Sequence, residues 1–506
     1  MLQVVGKDRR VERSRVRGDP EGSGSWVLFL VLLLLAIVLT RASAFGNPVY
    51  SADDQLYLQF GQAIDGGQIP YVDIWDRKPI GLFLVYAAMG LLPGDPVYVY
   101  QFIASLFVLA TALLIHRIAR LFAGEWGSQA AALAFVILLP VFKGAAGQAQ
   151  IFYEPLIALA ALVVVSSERQ DGGPSLSRGL AAMLLCGIAF TMKQTVIVES
   201  AFLGLWLLVA QWRRTGLPSA VPRGAMLMLV FAAPTLMTFA GMAMIGQLAT
   251  YLDSSFLSVF HKGSDAQWST MVRAIACFLM ISPLIGFAIG GYVVRRNLQA
   301  RLPGHELFLL LWTLAALGGV VLIPRFYLYY PIPLLLPLSI SASTLFERRG
   351  TGPLYLMCLA VVTLVQGDVL RFADTRAARS GFSALSDDIR ARARARPGGC
   401  LFVADGPGLL YATSGVGCRT PYRFPDHLSL PTEADSIGAD PAQAVRDILA
   451  QRPAVIVLRL GSANEARNPV TWPIIQAALA SDYRPVRRYR FPVEYRPQSI
   501  SVWARK

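Results

Sequence analysis

The feature that most constrains this chain is a succession of long apolar runs separated by short, arginine-rich segments. The runs fall at 26–44, 96–115, 127–142, 153–167, 179–192, 195–212, 224–247, 271–294, 305–323, 327–346 and 353–370. A helix crossing a bilayer needs roughly 20 predominantly apolar residues, so the pattern predicts about 11 crossings. Only 15% of the 506 residues are charged and 55% are hydrophobic, whereas ordinary globular chains carry about a quarter charged residues. A soluble multi-domain enzyme is thereby excluded. The formal charge of +14, from 46 basic and 32 acidic residues, does not point to nucleic acid, because many of the basic residues sit in clusters between the apolar runs. None of the five cysteines forms a CxxC pair, which excludes a zinc ribbon or a thioredoxin-like redox motif.

Those clusters orient the chain. With Lys7, Arg9, Arg10, Arg13, Arg15 and Arg17 in the cytoplasm, alternate loops hold Arg117 and Arg120; Arg169 and Arg178; Arg213, Arg214 and Arg223; Arg295, Arg296 and Arg301; Arg348 and Arg349. All fall on the inner side, as positive-inside topology requires. The basic leader and Ala42-Ser43-Ala44 also fit a secretory signal, but a retained first helix is expected, since cleavage would leave the next segment's orientation unexplained by its own flanks. The apolar stretch Ile80–Leu92, about 13 residues, is too short to span comfortably and predicts an interfacial or re-entrant helix. The expected organisation is a cytoplasmic N-terminus (1–25), a membrane domain (26–371) whose first outer loop is 45–95, and an outer C-terminal domain (372–506). In that last part the strand-like CLFVAD and AVIVLRL flank a helix-like DPAQAVRDILAQ, the pattern of a small α/β domain. The fold class is an all-α polytopic membrane bundle with a small extracytoplasmic α/β domain, in the cell's inner (plasma) membrane.

Chemistry-bearing residues gather in the outer loops. Asp53 and Asp54 precede an amphipathic stretch, Gln55–Ile64, and Tyr71, Asp73, Trp75, Asp76, Arg77, Lys78 and Pro79 follow. Gln148, Gln150, Tyr153 and Glu154 lead into a span, Lys193-Gln194 interrupts two others, and Arg325 precedes Tyr327, Tyr329 and Tyr330. Such a set combines acid–base groups with cations for an anionic headgroup. Plainer roles compete. Trp75, Tyr327 and Tyr329 fit an interfacial aromatic belt, Asp65, Asp95 and Asp253 fit solvated loops, and Lys143 and Lys262 fit headgroup or surface positions. Asp53 and Asp54 equally suit a helix N-cap. Cys400 and Cys418, the only cysteines outside the predicted spans, either pair in an oxidising compartment or leave Cys400 as a buried strand residue.

The strings SADDQLY, PYVDIWDRKPIG, QIFYEPL and MKQ, in that order and on that side, resemble the GT-C superfamily of membrane glycosyltransferases. They are most similar to the branch of protein mannosyltransferases, lipid A aminoarabinose transferases and rhizobial galacturonosyltransferases. The likeness covers about residues 26–370, and LLYATSG…TPYRFPDHL is similar to tails of that branch. It places the family's acidic pair on Asp53 and Asp54, its KP motif on Lys78-Pro79, its second acidic residue on Glu154 and its later lysine on Lys193. The chain departs in having Leu56 where the aminoarabinose branch has arginine, and Glu rather than Asp at 154.

The resemblance implies an inverting transfer of a sugar from a polyprenyl phosphate to a lipid, glycan or protein acceptor at the outer membrane face. Asp53, with Asp54 beside it, would be the base, and Glu154 would orient the acceptor or share that role. Lys78, Lys193, Arg77 and Arg325 would hold the departing phosphate, while Tyr57, Asp76, Gln194 and Tyr330 would contact substrate. A monophosphate held by lysines calls for no metal, so neither metal nor cofactor is expected. The competing class, a transporter or lipid flippase, would place ionisable groups at mid-membrane in repeated halves, a pattern absent from this sequence.

Overall fold

The computed structural model describes residues 21–167, 175–263, 266–297, 303–348, 350–433, 435–460 and 467–506. The basic leader, Arg169, Arg301 and Arg349 lie outside the described residues. Every apolar run coincides with a helix: Glu21–Arg41, Pro96–Ala119, Glu125–Leu138 with a 3-10 turn to Phe142, Ala149–Ser167, Leu176–Phe190, Ile197–Thr215, Leu217–Met244, Gln267–Asn297, Pro303–Val321, Ile332–Phe346 and Gly352–Gln366. Among the described residues, six helices are long and apolar enough to cross a membrane. The chain is a multi-pass membrane protein.

Burial separates lipid-facing from core helices. Leu217–Met244 exposes Met228, Leu229, Leu236 and Met237, whereas Ile332–Phe346 is buried at every residue and forms the centre of the bundle. Close approach there depends on small residues: a Cβ on Gly291 would sit 2.2 Å from the Ser341 carbonyl, and one on Gly127 2.2 Å from that of Ser343. Arg41, Glu199 and Arg295 are buried within helices. Each lies in a terminal turn with a local partner, as costly intramembrane charge requires. Arg41 donates to the Gly144 and Ala146 carbonyls at 2.8 and 2.9 Å. Glu199 accepts the Trp312 indole N–H at 2.9 Å, and Arg295 donates to the Ser341 carbonyl at 2.7 Å.

The segment expected as the first outer loop folds into two packed helices, Ala52–Asp65 and the 11-residue Ile80–Gly90. Phe60 stacks on Phe83 with ring centroids 3.7 Å apart. After the bundle, helix Phe372–Arg394 leads to a four-stranded sheet of β1 (Leu401–Val403), β2 (Val455–Leu460), β3 (Tyr483–Val493) and β4 (Arg496–Arg505). The order is β1-β2-β4-β3; β1 and β2 run parallel, and the other pairings are antiparallel. A disulfide joins Cys400 to Cys418.

The C-terminal part is seated on the 45–95 segment. Trp75 is 4% exposed. It packs against Tyr422 and His427 and donates its backbone N–H to the Pro421 carbonyl at 2.9 Å. It is an inter-segment anchor rather than the belt residue its position suggested, because the C-terminal part covers it. Lys143, too, is paired, 2.7 Å from Asp368.

Candidate functional site

A cavity of about 350 Å³ lies between the 45–95 segment, the neighbouring helix ends and the C-terminal part. Asp53 reaches it from the first turn of Ala52–Asp65, where the helix dipole favours an acid. Lys78 is fixed by its neighbours. The Asp76 carboxylate accepts the Lys78 backbone N–H at 2.7 Å and lies 3.6 Å from its ammonium, while the Tyr71 hydroxyl donates to its carbonyl at 2.8 Å. The ammonium then stands 3.4 Å from Asp53 Oδ1 and 4.8 Å above the Tyr57 ring centre. Lys193, extended between two helices, faces the Tyr329 and Tyr330 rings at 5.6 and 5.2 Å. Gln194 braces the floor, donating to the Arg77 and Ser255 carbonyls at 3.0 and 2.6 Å.

Burial and pairing set the charges. Burial pushes the Asp53 carboxyl up, but Lys78, a hydrogen bond from Tyr329 and the charge of Lys193 together hold it below the usual aspartate value. Burial opposes the Lys78 charge, yet Asp53 and Asp76 keep its ammonium above the ordinary range. Lys193 lacks such compensation: burial lowers it to about 7, against the pull of Asp53.

Other expected site residues lie elsewhere or are already engaged. Asp54 is buried and turned from the cavity, accepting the Gly147 N–H at 3.0 Å; burial raises its carboxyl to about 8. Glu154 is buried behind the cavity, close enough to interact with Glu199 and Lys193, and its two carboxylate oxygens have no hydrogen-bond partner among the described residues. Arg77 lines the cavity, but its guanidinium forms an ion pair with Glu433 and bonds Ser436 at 3.0 Å. Arg325 donates to the Gly263 carbonyl at 2.7 Å.

Several lining residues escaped the sequence reading. Glu433 also pairs with Lys262, which looked like a headgroup contact, and Tyr329 bonds Asp53 rather than lipid. Asp426, His427 and Glu494 come from the C-terminal part; the first two lie in the string TPYRFPDHL, which carried no site role in the sequence reading, and no string marked Glu494. Among the described residues, no group of three or more His, Cys, Asp or Glu side chains is arranged to hold a metal ion.

No protein-family model and no curated protein matches the chain. Solved structures do. The chain is similar to ArnT from Cupriavidus metallidurans bound to undecaprenyl phosphate, at 14% identity and TM-score 0.62, over 95% of this chain and 98% of that one. It is also similar to the Archaeoglobus fulgidus oligosaccharyltransferase in the apo form (12% identity, TM-score 0.54) and tethered with an acceptor peptide (12%, 0.51), each over 92% of this chain and 80% of that one. These likenesses span the bundle and the C-terminal part together, so the chain shares the fold of these proteins.

Proposed function

We propose that the chain transfers a sugar from a polyprenyl-phosphate donor to a lipid, glycan or protein acceptor at the outer face of the inner membrane. The observation that carries this is the pairing of Asp53 with Lys78 in one cavity that Lys193 also enters. Its setting is a fold shared with an undecaprenyl-phosphate-bound transferase. Asp53 takes the proton of the acceptor hydroxyl as it attacks the anomeric carbon from the face opposite the phosphate, so configuration inverts. The bond from sugar to phosphate breaks, and the phosphate gathers charge that Lys193 and Lys78 stabilise. Arg77 plays no direct part in this refinement, because Glu433 occupies it. Glu154 acts through its proximity to Lys193, and Asp54 acts on structure. Tyr57, Asp76 and Gln194 hold the two lysines and the cavity floor, and Tyr330 borders the phosphate site. Eleven crossings, the N-terminus inside and residues 372–506 outside complete the reading.

The test incubates purified protein with a panel of polyprenyl-phosphate sugars and candidate acceptors, and follows release of polyprenyl phosphate. Acceptor-dependent release, lost in Asp53→Asn, is the expected result. Movement of intact donor between leaflets without bond cleavage would replace this reading with flipping.

A further inference from the structure

Strands β3 and β4 pair through Val493 and Arg496, leaving Glu494 and Tyr495 alone to make the hairpin turn. Both adopt positive φ, 51° and 60°, a conformation that two-residue hairpin loops ordinarily obtain from Asn-Gly or similar pairs. Non-glycine residues persist there only where the surroundings hold them, and the surroundings are specific. Glu494 donates its backbone N–H to the Val49 carbonyl at 2.9 Å. Tyr495, 5% exposed, meets the Tyr50 ring edge-on at 5.6 Å and accepts from the Thr375 hydroxyl at 3.4 Å. The tip of the C-terminal hairpin is thus plugged into the first outer loop.

Its carboxylate has a defined target. Glu494 Oε1 accepts the backbone N–H of Ala52 at 2.9 Å, across 442 residues of sequence. Ala52 is the first residue of the helix whose next residue is Asp53. Ser51, at the N-cap position, gives no side-chain cap to this helix; its hydroxyl accepts from Gln148 instead, at 2.8 Å. An orphan N–H of the first turn is therefore satisfied by a distant glutamate that also borders the cavity.

We infer that Glu494 is a positioning residue for the transfer reaction: from the hairpin tip it caps the Asp53 helix and sets the Asp53 carboxylate against Lys78. The inference rests on Asp53 being the base. It gives the strained turn a use, since a glycine-containing turn would relieve φ but would not deliver a carboxylate to Ala52.

The experiment measures kcat and donor KM of the full-length protein with the undecaprenyl-phosphate sugar that the wild type turns over. Glu494→Ala should lower kcat by about 10- to 100-fold with donor KM within about twofold of wild type, because geometry at the base is lost while phosphate binding is kept. Glu494→Gln, which still offers an oxygen to Ala52, should restore most of the rate. Ala52→Pro deletes the N–H from the other side at a helix position that suits proline; it should reproduce the loss, and combining it with Glu494→Ala should add little. Wild-type kcat in either Glu494→Ala or Ala52→Pro overturns the inference, as does failure of Glu494→Gln to restore rate. Asp53→Asn serves as the reference: if it too turned over normally, the base assignment would fall, whereas a dead Asp53→Asn beside a normal Glu494→Ala would remove only the role of Glu494.

Discussion

The Lys78 ammonium stands 3.4 Å from Asp53 Oδ1, so one lysine touches the carboxylate while sharing a cavity with Lys193. In the free protein this contact keeps Asp53 ionised and a weak base. In the proposed mechanism an incoming phosphate would compete for Lys78, and a loosened hold of the lysine would make Asp53 a stronger base, coupling donor binding to base strength through a single side chain.

Asp53→Asn removes the proton acceptor but keeps shape and charge-independent hydrogen bonding. A rate loss on the order of 10²- to 10⁴-fold is expected, with detergent stability lowered only slightly, because Lys78 keeps Asp76 as a partner. Asp54→Asn should differ in kind: its target is the Gly147 N–H, so activity should stay near wild type, while Asp54→Ala should lose about 1–3 kcal/mol of stability by orphaning that donor. Equal rates in Asp53→Asn and wild type would end the proposed mechanism. Exposed Asp65 is the control.

Lys193 dictates a pH dependence. Burial lowers it to about 7, and only its protonated form attracts the donor's phosphodiester, whose own charge does not titrate in this range. kcat/KM should therefore fall as pH rises through about 7, with Lys193→Arg, which stays charged, pushing that alkaline limb upward. A limb unmoved by the substitution would assign it to another group.

The bundle was legible because lipid imposes a simple rule on sequence: each of the apolar runs became a helix, and the short Ile80–Leu92 stretch became an 11-residue helix. Asp53, Lys78 and Lys193, which the structure brings to one cavity, stood out in the sequence because they lie between apolar runs, where charge contrasts with its neighbours. Which of Asp53 and Asp54 faces the cavity was not legible, since adjacent residues on a helix point about 100° apart and only packing decides between them. Glu433 and Glu494 were invisible for a different reason. They belong to a polar domain where carboxylates are ordinary, and their partners Arg77, Lys262 and Ala52 are hundreds of residues distant in the chain or in another loop.

The proposed topology makes residues 372–506 extracytoplasmic. An alkaline-phosphatase fusion after Gly381 should be active and one after Arg214 inactive. The opposite pattern would invert the bundle and put the Asp53 cavity on the cytoplasmic side.

The same placement bears on the cysteines. Cys400 and Cys418 are bonded, and Cys186, Cys277 and Cys358 are free. Alkylation of unreduced, denatured protein should modify only the latter three. Replacing the pair by serine should cost about 2–5 kcal/mol, the usual range for a native disulfide. Labelling of all five cysteines would show that the pair does not form in the cell.

Glu433 is the joint between the two halves of the molecule. Arg77 from the 45–95 segment and Lys262 from a later loop both close on its carboxylate, and the Ser436 hydroxyl donates to it at 2.9 Å. Glu433→Gln would leave two largely buried cations facing each other without a counter-charge, and breaking a buried pair in this way costs roughly 3–5 kcal/mol. Burial pushes the Glu433 carboxyl up, but the two cations overcome it and hold it far below the ordinary glutamate value of 4.5. A depressed carboxyl contributes stability that is present above the unfolded value and is lost as pH falls toward the folded one. The wild-type melting temperature should accordingly drop on acidification below about pH 4.5. Glu433→Gln should melt lower at neutral pH and show a shallower acid slope, since the group that loses its advantage is gone. Returning the cluster to its original net charge with Lys262→Met in the same chain should recover part of the neutral-pH loss. If Glu433→Gln melted with the wild type at pH 7 and kept its full acid slope, the joint would carry no energy, and the seating of the C-terminal part would have to rest on its other contacts, among them Trp75, the Glu494–Tyr495 tip and the Arg379–Asp95 ion pair.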